Sequence, residues 1–259
     1  MATFIHETAI VSPQAKIGAD CHIGAFSIIG DEVVLGDKVR LDSHVVVEGN
    51  TKIGDETHVY PFVSIGLAPQ DLKYNGEPTA TAIGKRNHIR EFVTIHRGTQ
   101  GGGGLTRIGD GNLLMAQAHV AHDCRLGNDI IMANAATLAG HVEIADRANV
   151  GAYSGVHQFC RVGLEAFVGG YSVVVKDAPP FAIIQGNHAK CYGLNKVGMK
   201  RRGYSRETIE KIQHAYRLLL SSKLNTTQAV EKIREEISDC REVEILLNFI
   251  ETSKRGIVK

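Results

Sequence analysis

The chain contains no tryptophan, and its 15 other large aromatics (8 Phe and 7 Tyr) are few for 259 residues. A core must therefore be assembled from small and branched aliphatic side chains. No apolar run approaches the roughly 18 residues of a membrane span. The first residues carry neither a basic n-region nor an apolar h-region, so no signal peptide is read. Cysteine is sparse and unpatterned: Cys21, Cys124, Cys160, Cys191 and Cys240 form no CxxC pair. An odd, scattered set of this kind fits reduced thiols of a cytosolic protein, with no disulfide or zinc framework. Net charge is only +1, so bulk charge offers no footprint for nucleic acid. Disorder is excluded by a hydrophobic share of 43%. Glycine, at 28 residues, is abundant but far below the one third that collagen needs.

What is present has a period of six. From Ile5, every sixth residue is aliphatic: Val11, Ile17, Ile23 and so on through Ile65. The series resumes at Ile83, Ile89 and Ile95, and again from Ile108 through Val174. None of these 26 positions is polar, and at 12 of them the next residue is glycine. A helix would repeat at 3.6 and a lone strand at 2, whereas six is the hexapeptide β-helix repeat. Each hexad is then a short strand and a corner, and three hexads make one triangular coil of 18 residues. The ruler residue points into the prism, and the following glycine is expected to serve tight corners at positive φ. The predicted class is mainly β, a parallel β-helix over 1–185, with a small C-terminal α-helical domain over 186–259.

The ruler breaks at about 66–82 and 96–107, which read as functional loops leaving corners of the prism. Beyond Val174, Pro179 and Pro180 mark the exit. Ser205 is placed as the N-cap of a helix carrying Ile209, Ile212, Tyr216, Leu219 and Leu220. Thr226 or Thr227 is placed as the cap of a second helix with Val230, Ile233 and Ile237. A third helix is predicted near 240–252. These helices would cover the open end of the prism, where unpaired strand edges invite aggregation. Residues 188–223 hold nine Lys/Arg against two acids, which fits either a solvated face or an anionic partner.

Positions 18 apart share a column, so Val120, Leu138 and Val156 stack on successive coils. They bring His119, His122, His141 and His157 to one edge. Gly140 stacks on His122, and Gln158 is next in that stack. If each loop is a pure corner insertion, Ile95 and Ile65 fall in the same column, bringing His96 and both loops alongside. A histidine beside a carboxylate is a general base with an orienter, and His122-Asp123 offers that pair. The backbone N–H of Gly140 is placed to receive an oxyanion.

The stretches Gln70-Asp71-Leu72-Lys73-Tyr74, Thr94-Ile95-His96-Arg97-Gly98-Thr99, His119-Val120-Ala121-His122-Asp123-Cys124 and Leu138-Ala139-Gly140-His141 resemble one family closely. So do Val156-His157-Gln158-Phe159-Cys160, Gln185-Gly186-Asn187-His188-Ala189 and Lys200-Arg201-Arg202-Gly203. It is the acyl-[acyl carrier protein]–UDP-N-acetylglucosamine O-acyltransferases, which open lipid A synthesis. The resemblance runs from about residue 3 to the C-terminus. It implies a left-handed β-helix, a cytoplasmic homotrimer with sites between neighbouring prisms, and no cofactor or metal. It implies UDP-N-acetylglucosamine and a 3-hydroxyacyl carrier protein as partners, the acidic carrier suiting the basic block.

For the residues it implies His122 as base, Asp123 as its orienter and Gly140 as oxyanion donor. Asp71, Lys73, His119, His141 and Gln158 fall to the sugar, diphosphate or acyl chain, and His96 is placed beside them as a substrate-binding residue. His157, Asn195, Arg201 and Arg202 fall to the nucleotide side. Gly170 matches a position that limits acyl length, and glycine there implies a longer chain. Val197 departs from the pattern, replacing an acidic residue and removing a polar contact to the uridine. A related N-acyltransferase of the pathway carries an extra N-terminal domain, for which a ruler starting at Ile5 leaves no room. The zinc-dependent γ-class carbonic anhydrases share the scaffold and bind metal through three histidines. The Asp after His122, the stacked glycine and the Gln-Asp-Leu-Lys loop have no role in such a site.

Overall fold

The computed structural model describes residues 2–221 and 223–259. Its strands form three parallel sheets that begin at Phe4–Ile5, Ile10–Val11 and Lys16–Ile17 and are visited in rotation. Phe4 and Ile5 pair with His22 and Ile23, 18 residues on, and the same step repeats along the uninterrupted coils. The three-hexad coil is thus observed directly. Ruler residues from Ile23 onward are buried in a single continuous core. Ile5, on the edge strand of its sheet among the described residues, is 45% exposed.

Two details differ from the sequence reading. The glycines after ruler positions are not there for positive φ: of the 12, only Gly66 has it. The left-handed residue falls three places after the ruler position and is usually not glycine, as at Phe26, His44, Asp123 and His141. Glycine is needed instead where coils approach closely. A Cβ on Gly24 would lie 2.7 Å from the Asp42 carbonyl carbon of the coil above. The second detail is an interior position two residues before the ruler, which the hexad reading did not include. It holds the buried thiols Cys21, Cys124 and Cys160 and a ladder of amides. In that ladder the Asn112 N–H donates to Asn87 Oδ1 at 2.9 Å and the Ile130 N–H to Asn112 Oδ1 at 2.8 Å. Buried polar side chains thus satisfy backbone groups at corners where no strand partner is available.

Both ruler breaks are corner insertions between the second and third sheets. Ser64–Leu67, Ala80–Ile83, Thr94–His96 and Leu105–Ile108 are strands, which trims the loops to 68–79 and 97–104. Ile65 pairs with Ile95 and Ile95 with Val120, so both loops lie beside the histidine edge.

After Val174, residues 182–185 extend the first sheet and turn back as an antiparallel partner, Lys190–Leu194. Among the described residues four α-helices follow: α1 (Lys196–Arg201), α2 (Arg206–Leu220), α3 (Thr226–Glu236) and α4 (Arg241–Glu251). Ser205 caps α2 as predicted. The cap of α3 is Asn225 rather than a threonine, in a reciprocal capping box with Gln228. The short α1 was not foreseen, having too few turns to show a period. The helices seal the last coil through a Tyr216 hydroxyl donating to the Pro180 carbonyl and an Arg161 guanidinium donating to the Phe249 carbonyl at 2.8 Å. Part of the basic block is a solvated face, with Arg206–Glu210 and Lys211–Glu207 pairs one turn apart on α2. Among the described residues, no helix is long and apolar enough to cross a membrane.

Candidate active site

The corner geometry decides which side chains meet. Residues two past the ruler stack as His122, Gly140 and Gln158, and residues three past it as Asp123, His141 and Phe159. The His141 N–H donates to the His122 carbonyl, and the Phe159 N–H to the Gly140 carbonyl, which ties the three corners together. The His141 ring lies 4.4 Å from Phe159, nearly parallel, and edge-on to His122 at 5.1 Å. His119 lies one residue before the ruler, with Nδ1 2.6 Å from the Thr94 hydroxyl and its ring 5.0 Å from His96.

Asp123 is buried, and its carboxylate accepts three hydrogen bonds. His122 Nδ1 is 2.8 Å from Oδ2, the Thr99 hydroxyl donates to Oδ2 at 2.6 Å and the Thr99 N–H to Oδ1 at 2.9 Å. An ionised carboxylate only accepts, so Nδ1 of His122 carries the hydrogen and the lone pair sits on Nε2. That ring packs against Gly140, where a Cβ would fall 2.5 Å from Cε1 and 2.7 Å from Nε2. The Gly140 N–H has no acceptor among the described residues.

Around this pair burial disfavours the charged form of the imidazoles. Burial, reinforced by His96 and His122, pushes His119 down to about 4. Burial and His122 lower His96. Burial also lowers His141, with the Asp123 charge acting in the opposite direction.

The structure gathers most of the sequence-predicted set. Asp71, in the first loop, is near enough for its charge to act on His141, and its Oδ1 accepts from the Lys73 N–H at 3.0 Å. Lys73, His157 and Gln158 are exposed along the same edge. Four residues stand elsewhere. Gly170 is at a corner between the first and second sheets, beside the Ala152 carbonyl. Asn195, Arg201 and Arg202 border a 570 Å³ cavity on the first-sheet face, with Val197, 67% exposed, on its rim. Asn195 also caps α1, its Oδ1 accepting from the Gly198 N–H at 3.0 Å. Arg202 is held 3.5 Å from the buried carboxylate of Glu165 and donates to the Arg147 carbonyl.

Sequence reasoning missed Thr99, Thr94 and Phe159. A signal for Thr99 was present: side chains on Gly98 or Gly102 would collide with the Asp123 carboxylate, so the glycines let the second loop close over it. His122, Asp123 and His141 present nitrogen and oxygen atoms within 4.8 Å of one another. This set holds two histidines where the zinc alternative uses three, and the Asp123 oxygens already accept from His122 and from the Thr99 hydroxyl and N–H.

Residues 177–258 match the family model described as UDP N-acetylglucosamine O-acyltransferase, domain 2. Nearly the whole chain is similar to the solved structure of LpxA from Acinetobacter baumannii, at 44% identity over 98% of this chain and 99% of that one, with a TM-score of 0.97. It is similar to LpxA, a UDP-N-acetylglucosamine acyltransferase, from Bacteroides fragilis 9343, at 40% identity over 99% and 100% and a TM-score of 0.97. It is also similar to the Arabidopsis UDP-N-acetylglucosamine acyltransferase, at 32% identity over 99% and 100% and a TM-score of 0.86. Superposition this close is sensitive to hand, and the coil is the left-handed one.

Proposed function

The chain belongs to the UDP-N-acetylglucosamine O-acyltransferase family, and from that membership we propose how its own residues carry out the transfer. It is an acyltransferase of lipid A synthesis that acylates UDP-N-acetylglucosamine. In our reading the acceptor is the sugar 3-hydroxyl and the donor a 3-hydroxyacyl thioester on acyl carrier protein. His122 Nε2 takes the hydroxyl proton as the oxygen attacks the thioester carbonyl. Negative charge moves to the carbonyl oxygen, where the Gly140 N–H donates to it. The tetrahedral centre collapses, the C–S bond breaks, and the His122 imidazolium returns its proton to the leaving thiolate. Asp123 holds the ring and stabilises its charged form.

Asp71, Lys73, His96, His119, His141 and Gln158 line the acceptor and acyl side of this reading, and His157, Asn195, Arg201 and Arg202 the nucleotide side. In one chain Asn195, Arg201 and Arg202 border the first-sheet cavity, while His157 shares the edge of the acceptor-side groups. A homotrimer that sets the first-sheet cavity of one copy against the histidine edge of the next would unite them. Gly170 leaves room for a longer acyl chain, and the location is cytoplasmic, where carrier protein and sugar nucleotide are both met.

The observation that carries the mechanism is the His122–Asp123 hydrogen bond, with His122 Nε2 and the Gly140 N–H beside it both without a partner among the described residues. His122→Ala lowers turnover by about 10² or more with the oligomer intact by size-exclusion chromatography. Near-normal turnover would refute the base assignment. Donors of graded acyl length test the acyl chain, and activity that requires stoichiometric zinc would overturn the metal-free mechanism.

A further inference from the structure

Thr99 stands outside every motif role assigned so far, yet it is the residue most intimately joined to the His122–Asp123 pair. It is 7% exposed and Asp123 4%. Its backbone N–H and hydroxyl grip the two carboxylate oxygens separately, at 2.9 and 2.6 Å. The hydroxyl can donate only one hydrogen, and its lone pairs lie within 3.2 Å of the Gly102 N–H. Hydrogen bonds therefore run without a break from the glycine-rich loop through Thr99 to Asp123 Oδ2 and on to His122 Nδ1. The Asp123 N–H is anchored independently on Thr106 Oγ1 at 2.8 Å, so the backbone of Asp123 is held without Thr99. What Thr99 adds is the direction of the carboxylate and part of the compensation of its charge.

We propose that Thr99 is a positioning residue for the transfer, holding the Asp123 carboxylate in line with His122 Nδ1 and sharing its negative charge. The inference rests on His122 acting as the base. Losing the hydroxyl leaves more charge on Oδ2, which strengthens its hold on the imidazolium proton. His122 then protonates at higher pH, and the acid limb of the rate profile moves up. The groups facing the pair from neighbouring corners are His96, His119 and His141, with Asp71 beyond His141 in the first loop. Across the 380 Å³ cavity that Asp123 and His141 border stand Arg125, Glu143, Arg161, Asp177, Lys254 and Arg255. None of these is altered by a substitution at 99, so a shift reports on the hydroxyl.

Thr99→Val keeps the shape and the N–H and removes the hydroxyl. It should raise the acid-limb midpoint of kcat/KM by about one pH unit and lower kcat by about tenfold, with KM for UDP-N-acetylglucosamine little changed. Thr99→Ser should restore both values. An NMR titration of the His122 ring in the free protein should show the same upward move without turnover. Should valine not be accommodated, Thr99→Ala gives the same reading. An unmoved midpoint in the variant without the hydroxyl, or a serine variant as impaired as the valine one, overturns the proposal. His122→Ala assayed alongside separates the failures. An inactive His122→Ala with an unshifted Thr99→Val removes only the positioning role, whereas an active His122→Ala removes the base assignment and this inference with it.

Discussion

Replacing Gly140 by alanine displaces His122 without removing any group that reacts. The new Cβ would lie 2.5 Å from His122 Cε1, 2.7 Å from Nε2 and 3.2 Å from Nδ1. Non-bonded carbons settle near 3.5 Å or more, so the ring must retreat by about 1 Å. The Nδ1–Asp123 hydrogen bond, now 2.8 Å, is then stretched beyond useful geometry. Misplacing a reacting group by about 1 Å costs roughly 10²-fold in rate. Stability should hardly move. Gly140 is not in the left-handed region, so alanine meets no backbone strain, and the obstructing atoms belong to a side chain that can swing outward. Loss of glycine freedom in the unfolded chain even contributes up to about 1 kcal/mol in favour of the variant. The assay is kcat at saturating UDP-N-acetylglucosamine and acyl carrier protein, with a urea midpoint measured on the same sample. Since the N–H at 140 is retained, lost rate reports the imidazole and not the oxyanion donor. Turnover within about threefold of the parent would refute the claim that the ring is held in place by the bare backbone beside it.

Two further expectations concern stability. His119 is held at about 4 against an ordinary 6.5, chiefly by burial. Between those values the unfolded chain takes up a proton that the folded chain does not, so stability falls as pH drops through that window, by roughly 2–3 kcal/mol. His119→Gln should flatten the decline in melting temperature from pH 6.5 to 4, and an unchanged slope would show that another group is responsible. At Gly54 an added Cβ meets the carbonyl carbon and oxygen of Gly84 at 2.7 Å. Backbone cannot rotate away, so Gly54→Ala should destabilise by about 1–3 kcal/mol in urea titration. An unshifted midpoint would remove the close-approach account of these glycines.

Much of the scaffold was legible because a β-helix writes its register locally. A side chain that must enter a narrow bore every sixth residue leaves the period in the sequence, and columns 18 apart follow by counting. The stacking of His122 under Gly140 was read that way, as was the arrival of both loops beside it. The capping of α2 by Ser205 was legible because a cap is a local hydrogen bond. The reason for the glycines was misread because tightness at a corner and tightness between coils look alike in one dimension. The Asn87–Asn112 ladder was invisible, since its acceptors and donors are backbone groups tens of residues away. Asn225 was passed over for its threonine neighbours because all three are competent caps and only the chain path chooses.

The sequence by itself determined the coil, the orientation of each hexad and the edge on which the histidines gather, because all three follow from one periodic choice between inside and outside. Only the tertiary structure decided what that edge can do. It brought Thr99 over a loop to the Asp123 carboxylate, lowered His119 by burial, and placed Asn195 and Arg201 on a different face from His122. Those outcomes depend on distances between residues whose separation along the chain has no period, so no repeat could announce them.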